Sequence, residues 1–226
     1  MLEMYSSPVS PAGLRVQLAA VAKGVPIRSR KLPPGGVRSD AFLGLNPIGK
    51  IPVLVTEDGI AIAESAAILG YVEQRFPSPS LWPADAGARA KMDSACRAVD
   101  LYLCESIIRL FPQLAPASRD PAVVAREVEN WRRGAERVAQ MVSVSLVPVE
   151  AEYSMLDCML APSLHLSRRI SAMLELAEDP ATSGGLQPSY DAYLAHTGIG
   201  PALRTLTDEQ ERYDLAAGRP SVAASH

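Results

Sequence analysis

The chain has 226 residues, 48% hydrophobic and 21% charged, with a formal net charge of −3 and a mean hydropathy of +0.07; this is apolar material enough for one sizeable core or two smaller ones, and it excludes intrinsic disorder. With 22 basic against 25 acidic residues and no block of like charge, the chain has no electrostatic footprint for a polyanion, so nucleic acid is not an expected partner. Its strongest apolar runs, 51–55 and 66–69, fall far short of the roughly 20 residues a membrane span requires, and Met1-Leu2-Glu3 opens no secretory signal, so the expectation is a soluble, cytoplasmic protein with no membrane partner.

Residues 2–5 read as a short strand that Ser6, Ser7 and Pro8 end in a loop. Leu14, Leu18, Val21 and Ala22 recur at helical spacing and Gly24 stands where a C-cap belongs, which predicts a helix over 11–23. A second strand is expected over 25–31, and Pro33-Pro34-Gly35-Gly36 can only be loop. Residues 39–45 make a short helix that stops at Asn46-Pro47, because the residue before a proline is pushed out of the helical region. Residues 51–55 and 60–62, around a Glu57-Asp58-Gly59 turn, predict a hairpin, and a helix follows over 65–75. The order βαβαββα implies a small mixed sheet with helices on its faces.

Phe76-Pro77-Ser78-Pro79-Ser80 and Trp82-Pro83 cannot extend a helix and mark a linker between a first domain over 1–78 and a second over 86–226. Past it, strand signals vanish. One long helix is expected over 86–110, with Val99, Tyr102, Leu103 and Leu110 on one face. Val124, Val128, Trp131, Ala135, Val138 and Val142 form one stripe toward a partner helix. Ser154-Met155-Leu156-Asp157 reads as a capping box opening a helix to about Met173, apolar enough to run through the middle of an all-α bundle. His165 on that helix reads either as a packed, hydrogen-bonded histidine or as a base. Cys96, Cys104 and Cys158 form no CxxC pair and read as reduced, packed thiols; with His165, His196 and His226 at no ligand spacing, no metal is expected. Nothing after about Gln187 carries an assignment.

Three places invite chemistry. Ile51-Pro52 puts a proline into a strand-like run, and either a cis bond at the start of an edge strand or a trans proline opening the strand accommodates it. In the first case the N–H and C=O of Ile51 are available to hold an extended peptide by main-chain hydrogen bonds. Glu64-Ser65 directly precedes a helix whose positive end favours a ligand carboxylate while Glu64 neutralises an ammonium, a pair that an α-amino acid terminus satisfies; the same two residues also read as an ordinary cap. Tyr5, Ser6, Ser7 and Ser10 supply four hydroxyls near the amino end of the first helix, where a thiolate would gain from the dipole and from a donated O–H. A serine turn there is otherwise a cap.

Taken together, the runs Tyr5-Ser6-Ser7-Pro8-Val9-Ser10-Pro11, Asn46-Pro47-Ile48-Gly49-Lys50-Ile51-Pro52-Val53-Leu54 and Ala63-Glu64-Ser65-Ala66-Ala67-Ile68, with the Ser154 box and the following Leu160-Ala161-Pro162-Ser163-Leu164-His165, resemble the cytosolic glutathione transferases of serine type. The likeness is strong over 1–80 and extends in outline over 86–175. It implies a thioredoxin-like amino-terminal domain that holds glutathione as co-substrate, and an all-helical carboxy-terminal domain that completes a pocket for a small hydrophobic electrophile, in a homodimer with a detoxification-type transferase activity. It implies further that Ile51, before a cis Pro52, binds the cysteinyl part of glutathione, that Glu64 and Ser65 take the γ-glutamyl ammonium and carboxylate, and that Lys50 approaches the tripeptide. Ser10, with Ser7 as the alternative, would donate a hydrogen bond to the thiolate. Tyr102 and Arg109 on the first long helix are candidates for the substrate pocket, with a place in the bundle core as the other reading. No cysteine stands in the first-helix turn, so thiol exchange has no nucleophile there; the segment 143–153 lacks the glycine-containing loop usual in the family. Conjugation, thioether cleavage, dehalogenation and cis–trans isomerisation share the same thiol activation. The rival from another class is a non-catalytic binding or assembly module on the same fold.

Overall fold

The computed structural model describes residues 1–145 and 147–216, so His226 and the end of the 86–226 segment lie outside the described residues. Strand β1 (Leu2–Tyr5), helix α1 (Pro11–Ala22), β2 (Ile27–Arg30), α2 (Asp40–Leu43), β3 (Val53–Val55), β4 (Ala61–Ala63) and α3 (Ser65–Arg75) follow in the expected βαβαββα order. The sheet runs β2-β1-β3-β4, with β1 parallel to β2 and β3 antiparallel to both β1 and β4. Helix α1 supplies the crossover that a parallel pair requires. It ends where Gly24, at φ +63°, donates to Val21 and lets Val25 N–H return to the Ala20 carbonyl at 2.8 Å. The hairpin closes through Gly59 at φ +83°, with Thr56 N–H donating to Ile60 at 3.0 Å.

The remainder is helical: α4 (Ala86–Ala98), a π-helical segment (Val99–Cys104), α5 (Glu105–Arg109), α6 (Pro121–Ser143), α7 (Met155–Met173), α8 (Gln187–Ala195) and α9 (Ile199–Ala216). Helices α4, α6 and α7 each start on a side-chain cap: Asp85 for α4, Asp120 with Pro121 in the first turn for α6, and the reciprocal Ser154–Asp157 box for α7. No helix among the described residues is long and apolar enough to cross a membrane.

Two apolar cores result, and α1 belongs to both. Val16 joins Leu2, Met4, Leu54, Ile68 and Val72 under the sheet, whereas Leu14, Leu18 and Ala19 join the larger core built on α4, α6 and α7. The halves therefore share one helix rather than meeting across a thin joint. The proline-rich connection is fastened on both sides. Lys23 Nζ donates to the carbonyls of Phe76 (2.7 Å) and Pro79 (2.8 Å) and pairs with buried Glu73 at 2.6 Å. Ala151 N–H donates to the Ser80 carbonyl and Met155 N–H to the Leu81 carbonyl, so the approach to α7 and its first residue clamp the linker.

The helix expected over 86–110 runs without a break over 86–109, but the π-helical turn inserts a residue into its register and changes which side chains share a face. Val99, Leu103 and Leu110 are fully buried, but Tyr102 is rotated out and is 48% exposed. At the same place the two helices cross closely: a Cβ placed on Gly134 of α6 would stand 1.9 Å from the Tyr102 carbonyl oxygen. Only a glycine lets the two backbones approach so far. Gly134→Ala should therefore destabilise the fold by about 2 kcal/mol, since backbone on both sides cannot give way, against a helix-propensity gain of about 1 kcal/mol at most; urea denaturation midpoints measure the difference.

Candidate functional site

Strand register gathers the three sequence motifs at one end of the sheet. Tyr5 pairs with Val53, and Val53 pairs with Ala63, so the exit of β1, the entry of β3 and the exit of β4 form a row. The chain leaving Tyr5 becomes the serine turn, the chain entering Val53 comes from Ile51-Pro52, and the chain leaving Ala63 is Glu64-Ser65. Ile51 lies two residues before the ladder opens, in a half-buried position, and the Ile51–Pro52 peptide bond is cis. Asn46, only 2% exposed, shapes the approach to it: its Nδ2 donates to the Lys50 carbonyl at 2.7 Å and its Oδ1 accepts from Ile48 N–H at 3.1 Å. Gly49 turns this loop at φ +67° with the Val37 carbonyl 3.1 Å from where a Cβ would stand. The Lys50 side chain is exposed.

Ser10 is the N-cap of α1, where its Oγ accepts the Gly13 N–H at 3.1 Å. That bond uses a lone pair and leaves the O–H to donate outward, at the positive end of the helix. Ser7 lies in the preceding turn, its Oγ accepting from Val9 N–H at 3.4 Å and its carbonyl from Ser10 N–H at 3.0 Å. Ser6 Oγ is buried without a partner against the first turn of α1; a Cβ on Gly13 would collide with it at 2.1 Å. The serine turn is thus packed directly onto the helix start.

Glu64 adopts φ +67°, ψ 120°, a conformation a side-chain-bearing residue enters only at a cost of roughly 1–3 kcal/mol. It is exposed, while Ser65 is buried as the first residue of α3. Ser65 Oγ accepts from Arg15 at 3.4 Å, which leaves its O–H and the first amides of α3 for an anion. Sequence reasoning missed Arg15. Its guanidinium, 6% exposed on α1, also donates to Asp100 Oδ1 at 2.6 Å, to Ser163 Oγ at 2.7 Å and to Cys104 Sγ at 3.3 Å. One buried cation therefore joins the amino end of α3 to the π-helical turn and to α7. The only sequence signal was a charge inside the apolar face of α1, between Leu14 and Leu18.

The two substrate-pocket candidates lie apart from each other in character. Tyr102 presents an exposed ring, whereas Arg109 is held in ion pairs with Glu105 at 2.5 Å and with buried Glu127 of α6 at 3.8 Å. None of the three thiols is poised to react. Burial pushes Cys96 up to about 12 and also raises Cys104 and Cys158. His165 is packed and hydrogen-bonded to Gln210 at 3.0 Å, and burial holds it below the ordinary histidine value. A groove of about 450 Å³ between α3 and α4 begins at Ala66, the residue after Ser65, and an open depression of about 770 Å³ lies near the end of α7.

Residues 4–80 match the family model described as glutathione S-transferase, N-terminal domain. The chain is 27% identical over 183 residues to a maleylacetoacetate isomerase of Pseudomonas aeruginosa, covering 77% of this chain and 85% of that protein. It is 25% identical over 215 residues to a stringent starvation protein A homologue of Haemophilus ducreyi, covering 93% and 96%. In three dimensions it is similar to a glutathione S-transferase of Methylobacillus flagellatus solved with glutathione bound, at a TM-score of 0.70 and 19% identity over 89% of this chain and 98% of that one.

The buried cation gives a direct test of how the site is supported. Arg15→Met should cost about 3 kcal/mol, because it strips a donor from Asp100, Ser163 and Ser65 at once, and Arg15→Lys should recover little, because an ammonium cannot fork between acceptors on different helices. Chemical denaturation of the three proteins measures both.

Proposed function

We propose that the chain is a member of the glutathione transferase superfamily that binds glutathione across the motif row and activates its thiol for attack on a small hydrophobic electrophile, a reading supported by the match of residues 4–80. The observation that carries this reading is the register of β3. Pairing with β1 and β4 at once, it puts the exit of β1 that leads to Ser10, the entry of β3 from Ile51-Pro52 and the exit of β4 into Glu64-Ser65 at one end of the sheet, which supports an extended tripeptide lying across them. Ile51, outside the ladder, offers main-chain hydrogen bonds to the cysteinyl unit. Ser65 and the first amides of α3, with Arg15 behind them, receive the γ-glutamyl carboxylate, and exposed Glu64 receives the ammonium. Lys50 stands beside this path for the tripeptide's other carboxylate. Ser10 donates to the sulfur, because its O–H is the group left over from capping α1; Ser7, engaged within the turn, is the alternative.

The protein then contributes two things to the reaction. A positive helix end and a donated hydrogen bond stabilise the thiolate relative to the thiol, and each unit of lowered pKa corresponds to about 1.4 kcal/mol. Holding the sulfur beside the electrophile supplies proximity. Residues 1–78 serve as the glutathione domain and 86–226 as the electrophile domain, with Tyr102 an exposed ring on the helical side. Conjugation and glutathione-assisted isomerisation both begin with this thiolate, and similarity to a maleylacetoacetate isomerase and to glutathione S-transferases fits either. We read the working form as a cytoplasmic homodimer, and a monomer in sedimentation would overturn that part alone.

Titrating bound glutathione by its thiolate absorbance tests the proposal. The bound thiol should ionise at least one unit below the usual value of about 8.5. Ser10→Ala should return it toward that value and lower turnover of an aryl halide by about 100-fold, while Ser7→Ala leaves both unchanged. Tight binding with an unshifted thiol and no turnover in wild type and Ser10→Ala alike would instead establish the binding or assembly module.

A further inference from the structure

The last helix reaches back to the first loop. Gln210 of α9, 3% exposed, donates from Nε2 to the Val9 carbonyl at 3.2 Å, and its Oε1 lies 3.0 Å from Nε2 of His165 on α7. The Val9 carbonyl can only accept, which fixes the orientation of the amide; Oε1 then faces the ring, so His165 carries its hydrogen on Nε2. One turn further along both helices, Arg169 of α7 meets Asp214 of α9 at 2.6 Å, with Asp214 1% exposed. The pairs 165–210 and 169–214 keep the same four-residue step, two rungs that set the height of α9 on α7. Leu203 and Leu206 bury the rest of that face. An amide in such a stripe is costly to desolvate unless both of its ends are satisfied, and here both are.

Val9 is the residue before Ser10, and the peptide between them is the one whose carbonyl Gln210 holds. Within the turn itself, Ser10 N–H is tied to the Ser7 carbonyl and Val9 N–H makes a long bond to Ser7 Oγ. Resting on the glutathione reading above, we propose that Gln210 is a positioning residue for thiol activation: from α9 it fixes the Val9–Ser10 peptide, and with it the direction in which the Ser10 hydroxyl is presented, while His165 holds the far end of the amide. The Ser10 loop is thereby completed by a residue 200 positions downstream.

Gln210→Glu keeps the length and shape of the side chain but, ionised, has no proton to give the Val9 carbonyl; Gln210→Met keeps the length and removes both polar ends. In each, amide hydrogen exchange over residues 7–13 of the free protein should rise about tenfold, with exchange in β1 and β3 unchanged. The thiol pKa of bound glutathione should rise by about one unit, with affinity for glutathione within about twofold, because the groups at Ile51 and Ser65 are untouched. Unchanged exchange and an unchanged thiol in folded Gln210→Glu would overturn the assignment, as would exchange rising equally throughout the sheet, which marks a residue that merely stabilises the fold. A wild type that fails to bind glutathione sinks the glutathione reading by itself, and loop exchange then still decides whether Gln210 holds the turn.

Discussion

Strand β3 is three residues long, and the geometry of the site depends on its pairing. Because it runs antiparallel to both neighbours, its entry coincides with the exits of β1 and β4. A parallel arrangement, or a shift of one residue, would send Glu64-Ser65 or the serine turn to a different level and turn every side chain to the opposite face. The register is held by burial: Val53 and Leu54 are fully covered, and Leu54 sits in the core under the sheet with Met4 and Ile68.

Helix α1 carries the second constraint, since it serves two cores and also carries Arg15. Isolating such a cation from water costs several kcal/mol unless its donors are matched. Here Asp100 supplies the opposite charge, and Ser163, Ser65 and Cys104 supply further acceptors. The arrangement links the amino end of α3, where an anion would bind, to the helical half. It also accounts for the closeness of the π-helical turn, whose Asp100 and Cys104 both face the guanidinium while its Tyr102 carbonyl lies against Gly134.

The helical half thus shapes the edge it faces rather than only walling it. Arg15 is gripped from α7 and the π-helical turn, and Val9 from α9. Both grips act on backbone or charge next to the residues that would meet glutathione, Ser65 in one case and Ser10 in the other. The three free cysteines are all buried, and burial raises the pKa of each thiol.

Local pattern determined much of this protein. Helical spacing, short apolar runs between turn residues, Gly24 past the end of α1 and the Ser154–Asp157 box marked β1 to α3, the α6 stripe and the start of α7, because each signal lies within a few residues of the element it specifies. The motif residues Ser10, Ile51-Pro52 and Glu64-Ser65 were legible for the same reason. Helices α8 and α9 were not: the buried stripe of α9 includes the polar Gln210 and Asp214, which break its apolar pattern, and α8 carries no clear apolar face. The outward turn of Tyr102, the burial of Arg15 and the reach of Gln210 to Val9 belong to tertiary structure alone. Their partners lie from about 30 to 200 residues away along the chain, and nothing in the spacing around a charge or an amide records which distant carboxylate or carbonyl will satisfy it once water is excluded.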